Sequence, residues 1–255
     1  MPKADRCIFC RKRDLTVEDI LPKWLDKYYR PRMPGATFKR VPMEAGSRIP
    51  TRRTIHLRMP ERLACQSCNN GWMSGLERDV ENVLGVMITQ GAPPTFSRSD
   101  QELVAAWLTK YVMCIEWKSY QRPAYFTPQE RWWFRQTLKP PPGTTAWIAP
   151  VLYKKWLHQP QGHNLAFPPM TPLGRAVIRG ISYTFNIFFF GFQFVHVRDG
   201  QLPMCSEIGW EQAAFQIWPI DPTQKWPPSN ALRESQFQPF GNRWKATENA
   251  MKRAK

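Results

Sequence analysis

The sequence predicts an α+β fold, with a small cysteine-tied module in front, helices in the middle and an antiparallel β region behind. Two Cys-x-x-Cys pairs, Cys7/Cys10 and Cys65/Cys68, stand 54 residues apart and ask for one common centre. Between 70 and 138 apolar residues recur at helical spacing, punctuated by helix-start patterns. From Thr144 onward the texture turns to short β-branched and aromatic runs separated by Pro and Gly. On this division residues 1–90 form the cysteine module, 91–240 an α+β accessory domain and 241–255 a basic tail.

Each Cys-x-x-Cys pair sets two thiols on a tight turn, which is how a four-thiolate zinc site is assembled. Disulfides or buried small hydrophobes are the alternatives, and a reducing compartment favours metal over disulfide. Cys114 and Cys205 have no partner at ligand spacing and are expected in the core. Residues 16–21 form a short strand ended by Pro22, which has no N–H for a ladder. Trp24, Leu25 and Tyr28 follow at helical spacing. Residues 30–53 hold Pro31, Pro34, Gly35, Pro42, Gly46 and Pro50 among seven cations: Arg30, Arg32, Lys39, Arg40, Arg48, Arg52 and Arg53. That composition predicts a long basic loop, and loops of this length tend to be functional or disordered. Residues 54–57 and then 62–65 return as a strand into the second cysteine pair.

Positions 72, 73, 76, 80, 83, 84 and 87 make one apolar helix face, stopped by Gly91. Ser99 to Glu102 and Thr127 to Glu130 both have the capping-box pattern and open helices to about 118 and 138, the second with Pro128 at its first position. Strands are expected over 144–153 and 215–220, with 176–190 and 192–198 as a long hairpin or bent strand around Gly191. The aromatics Tyr183, Phe185, Phe188, Phe189, Phe190, Phe192 and Phe194 suit either a base-stacking surface or a sheet buried on both faces. The buried sheet explains them with fewer assumptions.

The net charge of +16 is uneven: residues 1–62 carry 16 basic against 7 acidic side chains, and the last 13 residues carry 5 against 1. A cationic load on the cysteine-bearing end points to a polyanion such as DNA. The start, Met1-Pro2-Lys3-Ala4-Asp5-Arg6, has no apolar run of the kind a secretory signal needs, and the longest apolar stretch, 187–197, is too short to span a bilayer. The expectation is a cytoplasmic protein with no membrane partner.

Cys7-x-x-Cys10, then Glu18-Asp19-Ile20-Leu21-Pro22, then Cys65-x-x-Cys68-Asn69 opening a helix resembles the zinc-knuckle HNH (ββα-metal) nuclease family. The longer run through Trp24-Leu25 and Asn70-Gly71-Trp72-Met73 to Leu76-Glu77, with Trp218-Pro219 and Trp226-Pro227 near the end, is similar to uncharacterised HNH-like proteins of bacteria and their phages. The resemblance covers roughly residues 5–80. It implies a structural zinc on the four cysteines, and a separate catalytic Mg²⁺ or Mn²⁺ on Glu18 and Asn69. It also implies a metal-dependent DNA endonuclease working in a bacterial cell or a phage-infected host.

Two letters depart from the family pattern. The general-base His is Asp19 here, a far weaker base at neutral pH than imidazole. The middle Asn is missing, with Met59-Pro60-Glu61 in its place, and His56 is the one nearby imidazole able to stand in as base. Two functions of different kinds therefore follow. One is an HNH endonuclease impaired at the base position. The other is a degenerate HNH scaffold that keeps zinc and cationic surface and binds DNA or a partner without turnover. A third possibility docks a protein partner through the aromatic β region.

Overall fold

Strand β1 (Leu15–Asp19) and strand β4 (Pro60–Cys65) pair antiparallel, with Glu18 opposite Glu61 and Asp19 opposite Pro60. The register slips between Thr16 and Val17, where β4 carries one extra residue, Leu63, and Leu63, Ala64 and Cys65 are buried in succession. Along β1 the alternation holds, with Val17 exposed and Glu18 buried. This computed structural model describes residues 5–31, 38–40, 52–54, 59–93, 95–118, 124–152, 161–167, 178–198, 212–237 and 239–241.

β4 runs directly into a helical segment. One turn, α2 (Gln66–Cys68), leads through a π-helical turn over Asn69–Met73, kinked at Gly71, into α3 (Ser74–Gln90). The expected apolar face is buried at Met73, Leu76, Val80, Leu84 and Met87 and half-buried at Trp72 and Val83, Ile88 is buried besides, and Gly91 ends the helix at φ +88°. The short helix α1 (Leu25–Tyr29) sets the Tyr28 ring where a side chain at Gly85 would have to go.

Helix α4 (Arg98–Lys118) starts two residues ahead of the Ser99 box. Ser97 is the reciprocal partner: Asp100 N donates to Ser97 Oγ at 3.1 Å, and Ser97 N donates to the Asp100 carboxylate at 2.9 Å. The box is thus Ser97–Asp100, two positions ahead of Ser99–Glu102, with an Asp closing it in place of the usual Glu. Helix α5 (Pro128–Thr137) has the expected cap. Glu130 N donates to Thr127 Oγ1 at 3.1 Å and Thr127 N donates to Glu130 Oε2 at 2.7 Å.

By internal contacts the chain divides into two interleaved units, Met1–Gly85 with Thr109–Leu138, and Val86–Leu108 with Lys139–Lys255. The first unit packs Phe9 edge-on to Trp72 at 5.0 Å and Trp72 edge-on to Phe134 at 5.6 Å. Its second anchor is ionic. Arg131 is 1% exposed, donates to the Met113 carbonyl at 2.9 Å and pairs with the Glu116 carboxylate, while Trp117 and Phe126 lie against its guanidinium. Within residues 30–53, expected as a loop, β2 (Phe38–Arg40) pairs antiparallel with β3 (Arg52–Thr54), which begins there.

The second unit is built on a sheet of strands β5 (Thr144–Leu152), β6 (Gln161–Phe167), β7 (Ile178–Ile187), β8 (Phe190–Val197), β9 (Phe215–Trp218) and β10 (Leu232–Arg233). The order is β10-β5-β8-β7-β6, with β9 also on β5; only the β10–β5 pairing is parallel. β6 and β10 were not foreseen. The β7–β8 turn falls at Phe188-Phe189, with Phe188 at φ 50°, and Gly191 lies inside β8, where Phe237 fills the space of a Cβ. Every residue of β8 is buried, as the two-sided sheet requires. One face stacks Phe185 on Phe192 at 5.2 Å beneath Trp107; the other carries Thr184 and Gln193 under Phe240, whose carbonyl accepts from Gln193 Nε2 at 2.8 Å. Among the described residues no helix is long and apolar enough to cross a membrane. Cys205 and the tail beyond Gly241 lie outside the described residues.

Candidate metal centre

The Cys7–Cys10 turn is held by the Cys7 N–H to Lys12 O at 2.7 Å and the Arg11 N–H to Cys7 O at 2.9 Å. Arg11 closes it in the left-handed region, at φ 66°. A bond from Ile8 N to Leu63 O, 2.9 Å, stitches the turn to β4, and that brings the second pair alongside. Cys65 is extended (ψ 162°) and Cys68 ends the following helical turn, so both point back to the first pair.

The ligand atoms of Cys7, Cys10, Cys65 and Cys68 all lie within 4.8 Å of one another, with Cys10 Sγ and Cys65 Sγ 3.3 Å apart. A tetrahedral zinc with bonds of about 2.3 Å needs sulfurs about 3.8 Å apart, inside that spread. Four thiols with no other donor suit a structural zinc, and the cluster can hold such an ion. A hydrogen bond from Cys68 holds the Cys7 thiol down at about 4; the thiolate is the form that binds metal. Burial pushes Cys10 up. Ser67 Oγ sits 3.2 Å from Cys65 Sγ. Phe9, between the first two cysteines, is completely covered by Trp72 and its neighbours, so one side of the cluster is dry. Cys114 lies apart as a buried core thiol, pushed up to about 12 by burial.

The carboxylates of β1 are differently placed. Glu18 is 5% exposed, and its Oε1 accepts from Lys110 Nζ at 2.8 Å. Lys110, fully buried on α4, also pairs with the Glu77 carboxylate of α3. Burial pushes the Lys110 ammonium down, but Glu77 and Glu18 outweigh it and hold it above the usual lysine range. Burial also raises Glu77, only partly countered by Lys110. Asp19 Oδ2 is 3.9 Å from the exposed Lys23 ammonium. Asn69 Nδ2 donates to Thr16 Oγ1 and to Val17 O, both at 3.0 Å, and so ties the start of the helix to β1 one residue before Glu18.

Glu18, Asp19 and Asn69 thus each have their own partners, Lys110, Lys23 and the Thr16–Val17 stretch, while His56, Arg32 and Arg48 lie outside the described residues. Arg30 is exposed, 3.8 Å from Asp26. In the short β2–β3 ladder Lys39 stands opposite Arg53 and Arg40 opposite Arg52. Lys110 was missed from the sequence, although a signal was present. It is the one charge in the run Val104–Ile115, and a charge inside an apolar helix face needs a partner. The chain matches no protein-family model, no curated protein and no solved structure.

Proposed function

We propose that this protein binds DNA through a zinc-stabilised scaffold of the HNH (ββα-metal) kind in which hydrolysis has been given up. The observation that carries the proposal is Lys110 between Glu18 and Glu77. Where the HNH resemblance implies a divalent ion on Glu18, the cation within reach is a lysine ammonium. An ammonium balances carboxylate charge, but it neither polarises a phosphoryl oxygen as a Lewis acid nor lowers the pKa of a bound water. Asp19 in place of imidazole removes the usual proton acceptor as well.

The binding half of the proposal rests on charge. The β2–β3 ladder carries Lys39, Arg40, Arg52 and Arg53 within two successive register positions, a basic composition suited to phosphates. Arg11, Lys12 and Arg13, all exposed, add to the same end of the chain. The zinc, closed by four thiolates, would fix this surface without touching the nucleic acid.

One observation favours the endonuclease instead. Asn69 uses only its amide nitrogen on β1, which leaves its carbonyl oxygen for a Mg²⁺ or Mn²⁺ shared with Glu18. Supercoiled plasmid incubated with the protein and either ion separates the two. Binding without nicking is expected; nicking abolished by Glu18→Gln would establish the endonuclease and overturn the proposal.

A further inference from the structure

Helix α5 shows solvent an unusual face. Its inward side buries Arg131 and Phe134, while Trp132 is 49% and Trp133 36% exposed, the only exposed large aromatics among the described residues. The Arg135 guanidinium lies over the Trp132 ring, 4.8 Å from its centroid, and Arg135 Nε is buried without a hydrogen-bond partner. Lys139, just past the helix, is exposed. The helix's one carboxylate, Glu130, is engaged by the N–H and hydroxyl of Thr127. Two flat indoles thus stand on neighbouring positions, one of them under a guanidinium, and the helix's own acidic group is engaged at its cap.

We infer that this face is a stacking site for unpaired bases of a single-stranded nucleic acid. The inference rests on the DNA-binding proposal above and adds which form of the polymer is held. An indole accepts any base on its open face, and Arg135, already stacked, supplies a guanidinium for a neighbouring phosphate or base plane. A partner that is anionic and carries planar rings fits both features. A duplex fits only the charge, because its bases are stacked on each other.

The test uses the full-length, zinc-loaded protein and two fluorescein-labelled probes, (dT)20 and a 20-bp duplex, read by anisotropy at fixed salt. Stacking on an aromatic side chain changes affinity by roughly 5- to 150-fold per base, so Trp132→Ala and Trp133→Ala should each weaken (dT)20 binding within that range. Duplex affinity should change less than about twofold, and Trp132→Phe should recover part of the loss. Both side chains are exposed, so the fold is expected to survive, and zinc content with far-ultraviolet circular dichroism checks it. Duplex binding with (dT)20 affinity unmoved by either substitution overturns this inference alone. Binding to neither probe at low salt overturns the DNA-binding proposal with it. Self-association abolished by Trp132→Ala, with (dT)20 affinity unchanged, assigns the face to a protein partner instead.

Discussion

Replacing Lys110 by methionine keeps the length of the side chain and removes the ammonium that Glu18 and Glu77 share. At an effective dielectric of about 20, one unit-charge pair 2.8 Å apart is worth roughly 6 kcal/mol before desolvation is counted. Part of that is offset by the cost of burying the ions, and breaking a buried pair from one side typically costs about 3–5 kcal/mol. Lys110 is fully buried and the Glu18 side chain is 6% exposed, so the upper half of that range applies at pH 7. The sign with pH is set by Glu77, whose folded pKa is already raised by burial and rises further without Lys110. A carboxyl raised in the folded state favours folding below its unfolded value, near 4.5, and loses that favour as pH climbs through the folded value. Lys110→Met should therefore be mildest near pH 4 and worst above neutrality. Adding Glu18→Gln and Glu77→Gln should return most of the loss. Urea unfolding at several pH values measures this, provided the slope with denaturant stays constant. A cost under about 1 kcal/mol at pH 7, or a triple variant no better than the single one, refutes the ionic clasp. Recovery of Lys110→Met by millimolar Mn²⁺ would show that the two carboxylates still make a divalent-ion site.

The remaining predictions concern other parts of the chain. Elemental analysis should find one zinc per chain, and Cys65→Ser or a strong chelator should unfold the N-terminal unit; a protein folded and unchanged in chelator refutes the centre. Gly143, at φ +84°, faces the Val197 carbonyl oxygen, so Gly143→Ala should cost about 2–5 kcal/mol through backbone strain and overpacking. A fall of under about 1 kcal/mol in the urea-unfolding free energy would contradict that contact. Neutralising Lys39, Arg52 and Arg53 together should flatten the salt dependence of DNA affinity by roughly two to three units, each phosphate contact being worth about 0.9. An unchanged slope makes those residues ordinary surface.

Local patterns carried well from sequence to structure. The Thr127–Glu130 cap, the α3 stripe and the grouping of four cysteines follow from spacing alone, because their partners lie three or four residues away or share one small ion's geometry. What spacing could not show was facing. Nothing in Leu15-Thr16-Val17-Glu18-Asp19 says that the valine goes out and the glutamate in; that depends on which face of the strand is covered, by Lys110 and its helix some 90 residues away. Gly191 misled for a related reason. A glycine amid aromatics suggests a turn, yet here it makes room for Phe237, a contact 46 positions on. The β2–β3 ladder was hidden by its prolines and cations, which read as loop until the two ends are seen opposite each other.

The interleaving of the two units bears on how the chain is made. A ribosome adding about 5–20 residues per second needs roughly 3–10 s to pass from position 85 to position 138. At its start the N-terminal unit exists without Lys110, Glu116, Arg131 or Phe134, and until its end Phe9 and Trp72 lack the Phe134 ring that closes over them. All four thiols, by contrast, are present once residue 68 has been added. An ion captured there would pin β1, β4 and the helix start together long before the hydrophobic contacts that later cover them, giving the newborn chain a fastening that does not wait for its own second half.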